Sequence, residues 1–230
     1  MGRIEDRYDD TAPCTENLEQ QDQAEGDHDI HPDFTGNYNL SDDLGIPSVD
    51  STEPLIMNEL PEDEYRHLVQ TLNKEQKEFF YQVLHLIKTA DEAFYCFLSG
   101  GAGVGKSQVT KALYQAALKY YNSRPGVNFA ETKVLMLAPT LKAAYNIKGN
   151  TIHSALAILA CQSLRIYKSL DSSRLNTLRF QIGRVKLIFI DEISMVANTT
   201  FNIQINNTLK DIAGSSLPLG GISIIAIRDC

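Results

Sequence analysis

Apolar residues along this chain fall either at helical spacing or in short continuous runs, and the changes from one to the other outline its elements. Phe80, Val83, Leu84 and Ile87 fall at i, i+3, i+4 and i+7, the spacing of one helix face, and Asn73 with Gln76 three places on has the form of a reciprocal N-terminal cap. Phe94 to Leu98 is a short apolar run that suits a strand buried on both faces. Val109, Leu113, Ala116, Ala117 and Tyr120 return to helical spacing, in a helix that starts near Lys106 and stops before Pro125 and Gly126. Lys133 to Ala138 (KVLMLA) reads as a second buried strand, closed by Pro139. A short helix over Ala143 to Asn146, a turn at Gly149 and Asn150 and a helical piece over Ile152 to Leu159 follow. Cys161 to Gly183 is polar and less regular, with Leu175, Leu178 and Phe180 hinting at a helix. Val185 to Ile190 (VKLIFI) is again a strand. Phe201, Ile205, Leu209 and Ile212 form a helix face ending at Gly214, Leu217 to Gly221 makes a turn, and Ile222 to Ile227 (ISIIAI) is a last buried strand. Strands alternating with helices predict an α/β fold, a parallel sheet with right-handed crossovers flanked by helices.

None of these periods extends into the first part of the chain. Met1 to about Tyr65 is rich in Asp, Glu, Asn, Ser and Pro, too polar to offset chain entropy by burial, so residues 1–65 are expected to be a disordered acidic tail. Residues 66–230 would be the folded domain, with ordered structure beginning around Leu72. Charge follows the same division: residues 1–70 hold 19 acidic and 3 basic side chains, residues 71–230 hold 10 and 18. The net charge of −8 therefore belongs to the tail, and the mildly basic remainder suits a nucleic-acid binder as well as it suits an ordinary solvated surface. His28 and His31, three apart among carboxylates, have a metal-ligand spacing, but in an acidic tail the solvated reading is preferred. Cys14, Cys96, Cys161 and Cys230 form no CxxC pair and read as thiols of a reducing compartment. No apolar run approaches the roughly 20 residues of a membrane span, so a soluble intracellular protein without membrane contact is expected.

The chemistry concentrates where the first strand meets its helix. Gly100, Gly101, Ala102, Gly103, Val104, Gly105, Lys106 and Ser107 match the phosphate-binding pattern GxxxxGK[ST] in its strand-loop-helix setting. Glycines let consecutive N–H groups point at one anion, and the helix N-terminus favours negative charge at the same place. Lys106 can reach the outer phosphates of a nucleotide and the Ser107 hydroxyl can ligate Mg²⁺. The alternative, a glycine-rich loop that only turns the chain, leaves that setting unexplained. Asp191 and Glu192 follow directly on the VKLIFI strand. Two acids there can simply start a helix; coupled to Lys106 they read as the second half of an ATPase site, with Asp191 in the magnesium shell and Glu192 orienting or deprotonating water. This reading sets the end of that strand beside the phosphate loop. Gln76 has two possible jobs, the cap to Asn73 or an amide contact to an adenine edge, and spacing alone favours the cap. Thr151 and His153 read, on spacing alone, as a helix cap and a first-turn residue.

Four segments taken together go further. FLSGGAGVGKS (Phe97 to Ser107), APTLKAAYNIKGNTIHSAL (Ala138 to Leu156), LIFIDEISMV (Leu187 to Val196) and LPLGGISIIAI (Leu217 to Ile227) resemble, in order and spacing, successive motifs of the petite-integration-frequency (Pif) DNA helicases. The resemblance covers about Leu72 to Asp229 and is nearest to the copies carried by eukaryotic Helitron transposons. It implies the N-terminal RecA-like P-loop NTPase lobe of a superfamily-one motor that moves five-prime to three-prime on single-stranded DNA, with ATP as substrate and Mg²⁺ as cofactor. It further implies a nuclear monomer with roles in DNA repair, recombination and telomere maintenance. Under it Lys106 and Glu192 become catalytic, Ser107 and Asp191 metal-binding, and Gln76 the adenine-reading glutamine. Pro139, Thr140, Lys142, Thr151 and His153 become contacts to the DNA backbone, for which a lysine, hydroxyls and loop N–H groups are suited. The sequence departs from the family after Ile227, where Arg228, Asp229 and Cys230 stand in place of the motif with a γ-phosphate-sensing glutamine. The second RecA-like lobe with its arginine is also missing. Since such an arginine is worth roughly 10³ to 10⁵ in rate, this chain alone should bind ATP yet turn it over very slowly, and should not translocate. Two rival readings are a non-catalytic ATP- or DNA-binding remnant and an oligomeric AAA-type remodeller.

Overall fold

The computed structural model describes residues 59–124, 131–158 and 166–229, all within one compact unit that spans Ser51–Cys230. The tail expected up to residue 65 lies outside the described residues as far as residue 58, as do His28 and His31. The elements are α1 (Glu62–Gln70), α2 (Lys74–Thr89), β1 (Tyr95–Gly100), α3 (Lys106–Asn122), β2 (Val134–Ala138), α4 (Leu141–Asn146), β3 (Asn150–Thr151), α5 (Ile152–Ala155), α6 (Ser172–Ile182), β4 (Leu187–Ile190), a π-helical turn (Thr200–Ile205) running into α7 (Asn206–Ala213), and β5 (Ser223–Asp229).

The five strands form one sheet of order β1-β5-β4-β2-β3, and every pairing in it is parallel. Alternation of side chains along the strands feeds two apolar layers. On one face Val134, Met136, Leu187, Phe189, Ile225 and Ile227 pack with Phe80, Val83 and Ile87 of α2 and with α3, where the Tyr114 and Phe189 rings lie 6.0 Å apart. On the other, Leu135, Leu137, Ile188, Ile190 and Ile224 meet Ile152 of α5, Leu178 and Ile182 of α6, and Leu209 and Ile212 of α7. Helices on both faces of a parallel sheet are the α/β arrangement predicted from the alternating periods. Among the described residues no helix is long and apolar enough to cross a membrane.

Several details correct the pattern-based expectation. β1 is not buried on both faces: it pairs only with β5, at the sheet edge, and Tyr95 and Phe97 are more than half exposed while Cys96 and Leu98 face the core. Ordered structure begins ahead of Leu72, with α1, whose Tyr65, Leu68 and Val69 pack on the core without any residue of the helix being fully buried. Phe180 is 92% exposed, and Ile182 takes the core position on α6. α5 closes at Ala155 after one turn instead of running to Leu159, and α4 starts at Leu141, two residues before the position predicted, because Thr140 caps it. The helix face from Phe201 to Ile212 begins as a π-turn before α7, which ends at Gly214 in the left-handed conformation at φ 62°.

Candidate active site

In a parallel sheet every strand delivers its following loop to the same end, so the loop after β1, the Asp191-Glu192 turn after β4, the Thr140 turn after β2 and the β3-α5 junction gather there. The glycine-rich loop takes the shape its glycines permit. Gly103 and Gly105 sit at φ 79° and 83°, and α3 then starts at Lys106. The φ at Gly105 favours glycine, and a Cβ there would come 2.5 Å from the Gln76 amide nitrogen and displace it. The Lys106 ammonium is 9% exposed as a residue and donates to the carbonyls of Gly100 at 2.8 Å and Gly101 at 2.7 Å, which holds the cation over the centre of the loop.

Of the two jobs its position allowed, Gln76 does the first, and it makes a tertiary bond besides. Its Oε1 accepts from the Asn73 N–H at 3.0 Å and its own N–H donates to Asn73 Oδ1 at 2.8 Å, which completes the reciprocal cap of α2. Its Nε2 donates at 2.9 Å to the Val104 carbonyl, tying α2 to the phosphate-type loop. An amide carries two N–H groups and two acceptor lone pairs, so one of each remains for a base edge.

The expectation that the end of β4 lies beside the phosphate-type loop is corrected by the sheet order. β5 intervenes, with Ser99 and Gly100 in register with Arg228 and Asp229, and Ile190 with Ala226. The convergence survives the extra strand: Ser107 and Asp191 line one cavity, together with Thr110, Lys111, Asn146 and Lys148. The Asp191 N–H donates to the Leu137 carbonyl at 2.9 Å, which fixes the turn to β2. Glu192 sits in the left-handed region at φ 49°, a conformation that costs a non-glycine residue about 1–2 kcal/mol and that recurs at functional turns. A hydroxyl and a carboxylate on one cavity are hard oxygen donors of the kind a divalent cation takes. Among the described residues no group of three His, Cys, Asp or Glu could cage a metal, so a cation held by Ser107 and Asp191 would complete its shell with water and phosphate oxygens.

The five residues expected to face DNA lie at the same end, following β2 and β3. Thr140 Oγ1 accepts from the Ala143 N–H and Thr151 Oγ1 from the Ser154 N–H, both at 3.2 Å, so each hydroxyl caps a helix. Capping uses an oxygen lone pair and leaves the O–H free to donate to a phosphate, so the cap and the contact are compatible. Pro139 is half-buried and Lys142 exposed. His153 lines a groove between α5 and α6 with Ser154, Arg174, Thr177 and Gln181. Arg174 and Thr177 carry no apolar period or motif and were invisible as site candidates; only the packing of α6 beside α5 brings them to His153. Cys96, the free cysteine among the described residues, is half-buried on β1, and burial pushes its thiol up, away from nucleophilic use.

A family model described as "PIF1-like helicase" matches residues 71–230. The ATP-dependent DNA helicase Pif1 of Campylobacter jejuni is 35% identical over 112 residues, 46% of this chain and 23% of that one. The ATP-dependent DNA helicase PIF1 of Saccharomyces cerevisiae is 28% identical over 160 residues, 69% of this chain and 16% of that one. Among solved structures, the Pif1 helicase from Candida albicans superimposes with a TM-score of 0.54 at 26% identity, covering 69% of this chain and 32% of that one. The sheet and its flanking helices form a RecA-like lobe. The chain thus spans less than a quarter of the length of these two curated relatives.

Proposed function

Because the chain belongs to the PIF1-like helicase family, we propose that residues 66–230 are the N-terminal ATP-binding lobe of a five-prime to three-prime DNA helicase of the Helitron type. In this reading it acts as a nuclear monomer, with an acidic tail ahead of the folded lobe, whose first helix already starts at Glu62. The observation that carries the reading is the meeting of Ser107 and Asp191 on one cavity, with Lys106 held over the loop next to it. ATP would lay its phosphates along the N–H groups of Gly101 to Ser107, with Gln76 at the adenine edge. Ser107 and Asp191 would hold Mg²⁺, which would supply neutralising positive charge to the phosphates. Lys106 lowers the cost of charge on the transferring phosphoryl group. A water oxygen bonds to the γ-phosphorus as the bridging P–O bond breaks, and Glu192 accepts the proton the water loses. Single-stranded DNA would run past Thr140, Lys142, Thr151 and His153, its backbone met by hydroxyls and an ammonium that do not read sequence.

Labelled ATP titrated against the chain tests the core of this reading. Lys106→Ala is expected to abolish binding or hydrolysis. Glu192→Gln is expected to keep binding while phosphate release drops by about 10²–10⁴-fold, the usual share of a general base. ATP that never associates with the wild-type chain, or a Lys106→Ala variant with normal DNA-stimulated hydrolysis, would overturn the assignment. Binding without any phosphate release, with or without single-stranded DNA and in a longer chain as well, would leave only the non-catalytic remnant.

A further inference from the structure

α4 turns an unusual face outward. It has six residues, yet Leu141 and Tyr145, one helical turn apart, are 65% and 83% exposed. Such burial is costly to forgo for a helix this short unless the face meets something else. Among the described residues the Tyr145 ring stacks on no other ring and its hydroxyl has no hydrogen-bond partner. The setting is cationic. From Thr132 to Leu170 the chain holds five Lys and Arg residues and no Asp or Glu, and Lys142 and Lys148, both exposed, flank the two apolar side chains. The strip starts at Thr140, and the turn after it, Asn146 to Lys148, lines the same cavity as Ser107 and Asp191.

We propose that Tyr145, with Leu141 beside it, is a stacking platform for a base of single-stranded nucleic acid. The inference rests on the reading of this end of the sheet as the DNA face, and adds to it a contact to the base where the other contacts go to the backbone. A polyanion complements the lysines, and every base offers a π-face whatever its identity, which suits a contact that has to accept any sequence. A protein segment covering the same strip would need apolar area and no phosphates, and the acid-free run around α4 favours the polyanion.

The test is the anisotropy of a fluorescein-labelled oligothymidylate titrated with the full chain at several salt concentrations, alongside an abasic oligomer of equal length. Loss of one base stack is worth about fivefold to hundredfold in affinity, so Tyr145→Ala should weaken oligothymidylate binding by that much. Tyr145→Phe should bind like the wild type. Neither variant should alter the salt slope or the affinity for ATP, whereas Lys142→Ala should lower the slope by about 0.7. The abasic oligomer should bind the wild type and Tyr145→Ala equally. If Tyr145→Ala binds oligothymidylate as the wild type does while Lys142→Ala weakens it, the platform is refuted and the backbone contacts stand. If Phe fails as badly as Ala, the hydroxyl and not the ring makes the contact, and stacking is refuted. If the wild-type chain binds neither oligomer, the DNA face itself fails, and the platform with it.

Discussion

Gln76 holds two structures at once, the cap of α2 through Asn73 and the phosphate-type loop through Val104. Replacing it with Ala should therefore cost about 1 kcal/mol in urea denaturation, as cap losses do, and should in addition weaken ATP binding. Asn73→Ala should show the stability loss with a smaller effect on ATP, because the bond to Val104 remains. Tyr167 offers a pH readout. Its hydroxyl donates to Asp211 Oδ2 at 2.7 Å, and burial, followed by that bond, pushes its pKa up to about 12. The fold thus prefers the protonated phenol: its contribution is complete below pH 10 and is lost as pH rises from the ordinary tyrosine value toward 12. Tyr65 and Tyr121 are shifted up by burial as well and act in the same direction. Tyr167→Phe should make the alkaline decline in thermal stability shallower than that of the wild type.

Among the elements, the short strand β3 is the most exacting. It pairs with β2 through Asn150 and Thr151 only, and a Cβ on Gly149 would come 2.3 Å from the Met136 carbonyl oxygen. Gly149→Ala should cost about 1–3 kcal/mol, the usual penalty of overpacking, and should pull Thr151 and His153 off the end of the sheet, so that DNA binding falls with stability. The preceding residue has the opposite problem. Lys148 lies in the left-handed region at φ 53°, and Lys148→Gly should raise the unfolding free energy by about 1 kcal/mol. Equilibrium denaturation of the two variants should move in opposite directions although the positions are adjacent. α1 escapes a periodicity search because none of its residues is fully buried, yet Pro61 followed by Glu62, Asp63 and Glu64 is a helix start in plain sight.

For the molecule as a whole, the intervening strand β5 is what the site depends on. It separates β1 from β4 and brings Arg228 and Asp229 level with Ser99 and Gly100, so Asp191 reaches the cavity it shares with Ser107 from across an extra strand. In the proposed reading this lobe supplies positioning and charge, and the arginine that stabilises the transferring phosphoryl group would come from outside these residues. Phosphate release by this chain should therefore be slow, and should rise by about 10³–10⁵ in a longer chain that contributes one. Equal rates in the two would show that this lobe alone completes the site.

By itself the sequence determined the local chemistry and the class of fold. A glycine pattern that permits φ near 80°, a lysine and a serine opening a helix, an acidic pair closing an apolar run, and short apolar runs alternating with a period of 3.6 are statements about neighbours along the chain, readable without coordinates. Only the tertiary structure decided strand order, the exposed edge at β1, the bond from Gln76 to Val104 and the groove that Arg174 shares with His153. The physical reason is one of range. Those features arise from contacts between residues distant in sequence, such as Gln76 with Val104, which no periodicity encodes because each partner satisfies its own local rule equally well without the other.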